Sequence, residues 1–188
     1  MYPLTIKHSP NGLSFVITDQ SEYVIYKSQT FNNLSFGNGA HFCWANNGGY
    51  AVKRDMKVAI YDNNHQEVTT IKTDYPIEDL YGGPLLSIKS TDFILFYDWD
   101  TYTFISKIDV SGKDIFWNTK TGKFIISAKD GIYNLIYNKE LVEKTLKENE
   151  NLDDGIEDAF ELLFEFNDVV TSGCWIDDTF FYINVHNK

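Results

Sequence analysis

The chain has 188 residues, 43% of them hydrophobic and 16% aromatic, so it can bury a core and is not a disordered tail. Its net charge of −11 argues against a nucleic-acid surface, which needs Lys and Arg against phosphate, and disfavours direct contact with anionic lipid. Two cysteines far apart, Cys43 and Cys174, argue against a disulfide framework or a zinc ribbon.

The opening from Met1 to Lys7 lacks the charged start and apolar run of a signal peptide, and no apolar run is long enough for a spanning helix. A soluble, intracellular chain is expected. Ile6 leads into the turn Ser9-Pro10-Asn11-Gly12, then Phe15-Val16-Ile17, a polar break, and Tyr23-Val24-Ile25-Tyr26. The pattern returns from Phe42 through Asn46-Asn47-Gly48-Gly49, Tyr50-Ala51-Val52 and Val58-Ala59-Ile60-Tyr61. A third copy runs from Ile77 through Gly82-Gly83-Pro84, Leu85-Leu86 and Phe93 to Tyr97. A fourth runs from Ile115 through Lys120-Thr121-Gly122, Phe124-Ile125-Ile126 and Ile132 to Tyr137. The closing tyrosines Tyr26, Tyr61, Tyr97 and Tyr137 step by 35, 36 and 40 residues. Such a fixed period marks a repeat architecture.

The segment 141–166 departs from the pattern. Glu140 to Lys147 favours a helical turn or two, and Ile156, Phe160, Leu163 and Phe164 recur as one face of a second helix, capped by Asp153 or Asp154. Strand language resumes at Asp168 and ends in Phe180-Phe181-Tyr182-Ile183. The expected fold is all-β. It is a β-propeller fragment of about four to five four-stranded, WD-like blades at roughly 1–36, 37–72, 73–110, 111–140 and a partial 167–188, with a helical, acidic insertion at 141–166. An unclosed propeller exposes strand edges, so the isolated fragment is expected to self-associate.

The residues offer no reactive centre. The chain has one arginine, Arg54, too few to clamp a carboxylate as propeller sialidases do. His8, His41, His65 and His186 are scattered, without the spacing of a metal site. His8 takes the repeat position held by Trp44 and Trp117 and reads as a packed ring beside a turn. Asp153, Asp154, Glu157, Asp158 and Glu161 miss the register of a calcium loop and read as a solvated linker. In Tyr97-Asp98-Trp99-Asp100 the carboxylates are expected to bond nearby backbone. No catalytic residue, cofactor-binding residue or metal ligand is assigned.

Tyr81-Gly82-Gly83, Phe96-Tyr97-Asp98-Trp99-Asp100, Ile115-Phe116-Trp117 and above all Asp154-Gly155-Ile156-Glu157-Asp158-Ala159-Phe160-Glu161 resemble the beta-prime subunits of coatomer, the COPI vesicle coat. Ile6 to Gly12 and Leu34-Ser35-Phe36-Gly37 fit the same region, and the likeness follows the whole chain in order. The resemblance implies much of a second WD-type propeller and a non-catalytic scaffold in Golgi-to-ER and intra-Golgi transport. It implies the alpha and epsilon coatomer subunits as partners, and a peripheral, cytoplasmic place on Golgi membranes and coated vesicles. Membrane contact would be indirect, and basic cargo tails would be read by a first propeller absent here. The alternative from the residues is a module recognising basic, Lys-rich tails through an acidic face.

Overall fold

The computed structural model describes residues 2–148 and 152–184. It divides into two compact units between Ser90 and Thr91. In the first unit β1 (Thr5–His8), β2 (Ser14–Thr18), β3 (Glu22–Lys27) and β4 (Asn33–Asn38) form one antiparallel sheet in chain order. A second sheet of the same order follows: β5 (Ala40–Trp44), β6 (Tyr50–Arg54), β7 (Lys57–Tyr61) and β8 (Glu67–Lys72). The unit ends with β9 (Asp79–Tyr81) paired to β10 (Leu86–Lys89).

The second unit opens with β11 (Ile94–Tyr97) paired to β12 (Phe104–Ile108). Next come β13 (Gly112–Trp117), β14 (Lys123–Ala128) and β15 (Ile132–Tyr137), then the helix α1 (Lys139–Glu148). β16 (Phe160–Phe166) returns to pair with β15, and β17 (Val170–Ile176) with β18 (Thr179–Asn184) closes the described chain. No helix among the described residues is long and apolar enough to cross a membrane.

The turns explain the strand boundaries. Ser9 O accepts the Gly12 N–H at 2.9 Å, with Gly12 at φ 69°, and Asn118 O accepts the Gly122 N–H at 3.0 Å, with Gly122 at φ 73°. Glycine reaches that left-handed conformation without a Cβ clash. The middle strands alternate strongly apolar residues, and their central positions are sealed: Val16, Ile25, Val52, Val58, Phe124 and Ile126 are all 0% exposed. Each such side chain contributes roughly 1.5–3 kcal/mol through removal from water. The outer strand β8 is by contrast exposed or half-buried throughout.

One aromatic pair recurs at the same place. His8 faces Phe15 across β1 and β2, Trp44 faces Tyr50, Trp117 faces Phe124, and Trp175 faces Phe180. Their ring centroids lie 5.9, 5.7, 4.2 and 5.3 Å apart. Two closing tyrosines extend the row, Tyr26 stacking on Phe15 and Tyr61 on Tyr50. The ladders β3–β4, β7–β8 and β11–β12 also shift register at the closing tyrosine, between Ile25 and Tyr26, Ile60 and Tyr61, and Phe96 and Tyr97.

The segment 141–166 corrects the sequence reading. Helix is found at Lys139–Glu148, where Asn138 caps the Leu141 N–H and Val142 is buried. The second helix is absent; Phe160, Leu163 and Phe164 lie in β16. The ladder register shifts between Asn134 and Leu135, and Leu163 is the unpaired residue. That extra residue breaks the two-residue alternation and leaves a spacing that imitates a helical face. Phe160 settles the choice by packing on Phe96 at 4.6 Å and Phe124 at 5.3 Å.

Candidate functional site

Several groups able to do chemistry hold strands and turns instead. Arg54, at the end of β6, pairs with Glu67 on β8 at 2.8 Å and donates to the Tyr61 hydroxyl and to Asn38 O. Its guanidinium also sits 5.5 Å from the Tyr61 ring centroid. Burial pushes the Tyr61 phenol above its ordinary pKa, with the Arg54 charge opposing. Each of its three nitrogens thus has a partner within the first unit.

The histidines do not converge. His8 packs beside its turn against Phe15. His65 lies in the β7–β8 turn at φ 64°, with its ring 5.8 Å from Tyr50, and burial pushes its imidazole pKa down against the opposing Asp62 charge. His186 lies outside the described residues. His41 has a different role: it is the unpaired residue of the β5–β6 ladder, at φ 51°. The bulge turns its ring to Asp79 on β9, with Nδ1 2.9 Å from the carboxylate. Such a bulge re-aims a side chain out of the ladder. Burial works against the Asp79 charge. The His41 contact, the Leu80 N–H and the charges of His41 and Lys7 outweigh it and hold the carboxyl below its ordinary pKa. Asp79 carries no local signal, because the contact joins positions 38 apart with no motif between them.

The two cysteines differ. Cys43 is buried in β5, and burial pushes its thiol to about 12. Cys174 on β17 is exposed. Both are free. Among the described residues no group of three or more His, Cys, Asp or Glu is placed to hold a metal ion.

Asp98, Asp19 and Asp62 serve turns. Asp98 Oδ2 accepts the Asp100 and Thr101 N–H groups at 3.0 and 2.8 Å. Asp19 accepts from Ser21 and Glu22, and Asp62 from Gln66 and Asn64; these backbone N–H groups lower both pKa values. Asp153, Asp154, Glu157 and Asp158 are exposed around the buried Ile156, whose N–H reaches Ile105 O at 2.7 Å. They lead into a strand and cap no helix. One cleft of about 280 Å³ opens beside β16, with Asp130, Tyr133, Glu165 and Asn167 among its walls. The Tyr133 hydroxyl donates to Asp130 at 3.0 Å, and that bond raises the Tyr133 pKa.

Further links tie neighbouring sheets near their first strands. Lys7 Nζ reaches Phe42 O at 2.9 Å in the first unit. In the second, the β13–β14 turn is clasped to the β17–β18 turn: Asn118 Nδ2 donates to Asp177 O at 2.6 Å, and Lys120 and Lys123 pair with Asp177 and Asp178. This arrangement fixes strands against strands.

A family model described as the COPA/B second beta-propeller matches residues 1–187. The coatomer subunit beta'-1 of Arabidopsis thaliana is 38% identical over 186 residues, covering 98% of this chain and 20% of its own length. The coatomer subunit beta' of Homo sapiens is 35% identical over 190 residues, covering 100% of this chain and 21% of its own. The chain thus spans about a fifth of the length of these curated relatives. Among solved structures, Hsv2p of Kluyveromyces lactis superposes with a TM-score of 0.60 at 12% identity, over 97% of this chain and 71% of that one. The Myceliophteria thermophila Cps50 (Swd1) beta-propeller domain gives 0.52 at 12% identity, over 98% and 81%. At such identities these two share the β-propeller fold and nothing more is carried from them.

Proposed function

The chain belongs to the COPA/B second beta-propeller family, and from that membership we propose that it is a non-catalytic scaffold segment of a coatomer subunit. Its blades divide near 1–36, 37–72, 73–110 and 111–166, with a further blade begun at 167. Its work is geometric: stacked sheets hold flanking modules at fixed distances and loops offer contact surfaces. The chain contributes to the COPI coat in Golgi-to-ER and intra-Golgi transport, on the cytoplasmic side of Golgi membranes and vesicles. It meets the membrane only through the coat. The alpha and epsilon coatomer subunits are its partners, and basic cargo tails are read by a first propeller outside this chain.

The observation that carries the reading is where the polar groups go. Arg54, His41 and Asp98 are each consumed by a strand, sheet or turn contact. The test is co-precipitation of the tagged chain with coatomer alpha subunit from cells, scored with Golgi co-localisation. Recovery of the alpha subunit supports the proposal; a chain that is folded, diffuse and free of coatomer refutes it. A second reading, a module taking basic Lys-rich tails on an acidic face, is favoured by one observation: Glu161 and Glu165 stand exposed on β16 and form no ion pair among the described residues.

A further inference from the structure

β16 is the outermost strand of its sheet, so one row of its backbone N–H and C=O groups faces outward. Its sequence is Phe-Glu-Leu-Leu-Phe-Glu-Phe, and the six residues from Glu161 to Phe166 are all exposed. Leu162 is 51% exposed and Phe164 52%. Folded proteins blunt such edges with lysine, proline or residues that favour loops. The other outer strands do so: β8 ends in Lys72, β12 carries Lys107, and β4 ends in Gly37-Asn38. β16 has neither lysine nor proline, and shares with the other outer strands only a bulge, at Leu163. Strong strand formers with an open backbone edge and only acidic charges are what strand addition needs.

The charge pattern says what fits. The β15–β16 register places Glu161 opposite Ile136 and Glu165 opposite Tyr133, three residues apart along β15, so the two carboxylates project on opposite faces. Glu165 also walls the cleft that Asp130 lines from the neighbouring turn. An incoming strand therefore meets negative charge on both faces, with apolar contact from Leu162, Leu163 and Phe164 between. A second copy of this chain is a poor occupant, because its own β16 brings two more carboxylates and no basic residue to meet them.

We propose that β16 is a docking edge for an extended protein segment with basic residues on both strand faces and apolar residues between them, which adds beside β16 as a further strand. The inference deepens the second reading and rests on it for the sign of the partner's charge. It stands whether or not the chain serves the COPI coat.

The probe is a synthetic peptide built on the unit Lys-Val-Val-Lys, titrated into the isotope-labelled chain at low and high salt. Amide resonances of residues 161–166 should shift, and those of β4, β8 and β12 should not. A peptide with glutamate in place of lysine, or with proline at alternate positions, should fail to bind. Both Phe164→Lys and Glu165→Lys lie at exposed positions; each should keep the thermal midpoint while weakening binding about tenfold or more. Binding that shifts other residues, or that survives the proline control, overturns the docking edge and leaves the second reading standing. No binding overturns both. Concentration-dependent dimers in sedimentation, abolished by Phe164→Lys, would assign the edge to a second copy and overturn the proposal.

Discussion

Trp44 donates its indole N–H to the main-chain carbonyl of Lys7 at 3.1 Å, joining the first strands of consecutive sheets across 37 residues. Trp175 does the same to Phe116 at 2.9 Å in the second unit. In both cases the acceptor immediately precedes the residue that holds the tryptophan's place in the preceding copy, His8 or Trp117. The repeat is therefore legible in a hydrogen bond as well as in hydrophobic spacing. Removing the donor leaves a carbonyl without its partner. Trp44→Phe should lower the unfolding free energy by about 1–3 kcal/mol. Trp175→Phe, at a more open site, should cost less. Urea unfolding measures both, and equal stability of Trp44→Phe and the parent would remove the bond from the account.

Phe124 is fully buried and touches rings on three sides: Trp117 at 4.2 Å, Phe160 at 5.3 Å and Phe96 at 5.9 Å. Phe124→Ala should destabilise by about 3–5 kcal/mol, the usual loss when a buried ring leaves a cavity. Equilibrium unfolding followed by tryptophan fluorescence reads this directly, since Trp117 reports on the same cluster.

Gly82 follows β9, where a methyl group would come to rest 1.8 Å from the Trp44 carbonyl oxygen. That obstacle is backbone and cannot rotate away. Gly82→Ala should destabilise by about 1–3 kcal/mol or more through forced displacement. A thermal midpoint matching the parent would show that β9 and β5 lie farther apart than described.

Asp79 carries a pH dependence. Its carboxyl is held below the ordinary value, so its folded form binds protons less readily than its unfolded form. The stabilisation is fully present above about pH 4, the unfolded aspartate range, and is lost as the pH falls through that value toward the lower folded one. Asp79→Asn should flatten the fall in thermal midpoint on acidification. Parallel midpoint curves for parent and variant would contradict the assignment.

Cys174 should react with iodoacetamide in the native chain, while Cys43 should react only after unfolding. Cys43 is shielded, and its thiol is pushed to about 12, far from the thiolate form at neutral pH. Mass spectrometry of peptides from native and denatured samples distinguishes the two sites.

Much of the fold could be read from residues alone because its signals are local. Tyr26, Tyr61, Tyr97 and Tyr137 mark the third strand of each copy, and turns such as Ser9-Pro10-Asn11-Gly12 set strand limits through backbone chemistry. The helix at Lys139–Glu148 was visible for the same reason. β16 was not. Its bulge at Leu163 erased the alternation by which a strand is recognised, and its pairing with β15 closes over a helix and a loop.

The amino-acid sequence by itself determined the repeat, the places where strands end and the family to which the chain belongs. Each of these is written in neighbouring side chains and in the conformations they permit. Only the tertiary structure decided that Phe160–Phe166 completes a sheet, that His41 turns outward to Asp79, and that Trp44 spans to Lys7. Those choices depend on hydrogen-bond partners and packing surfaces supplied by residues distant in the chain, whose energies exceed the small local preferences they override.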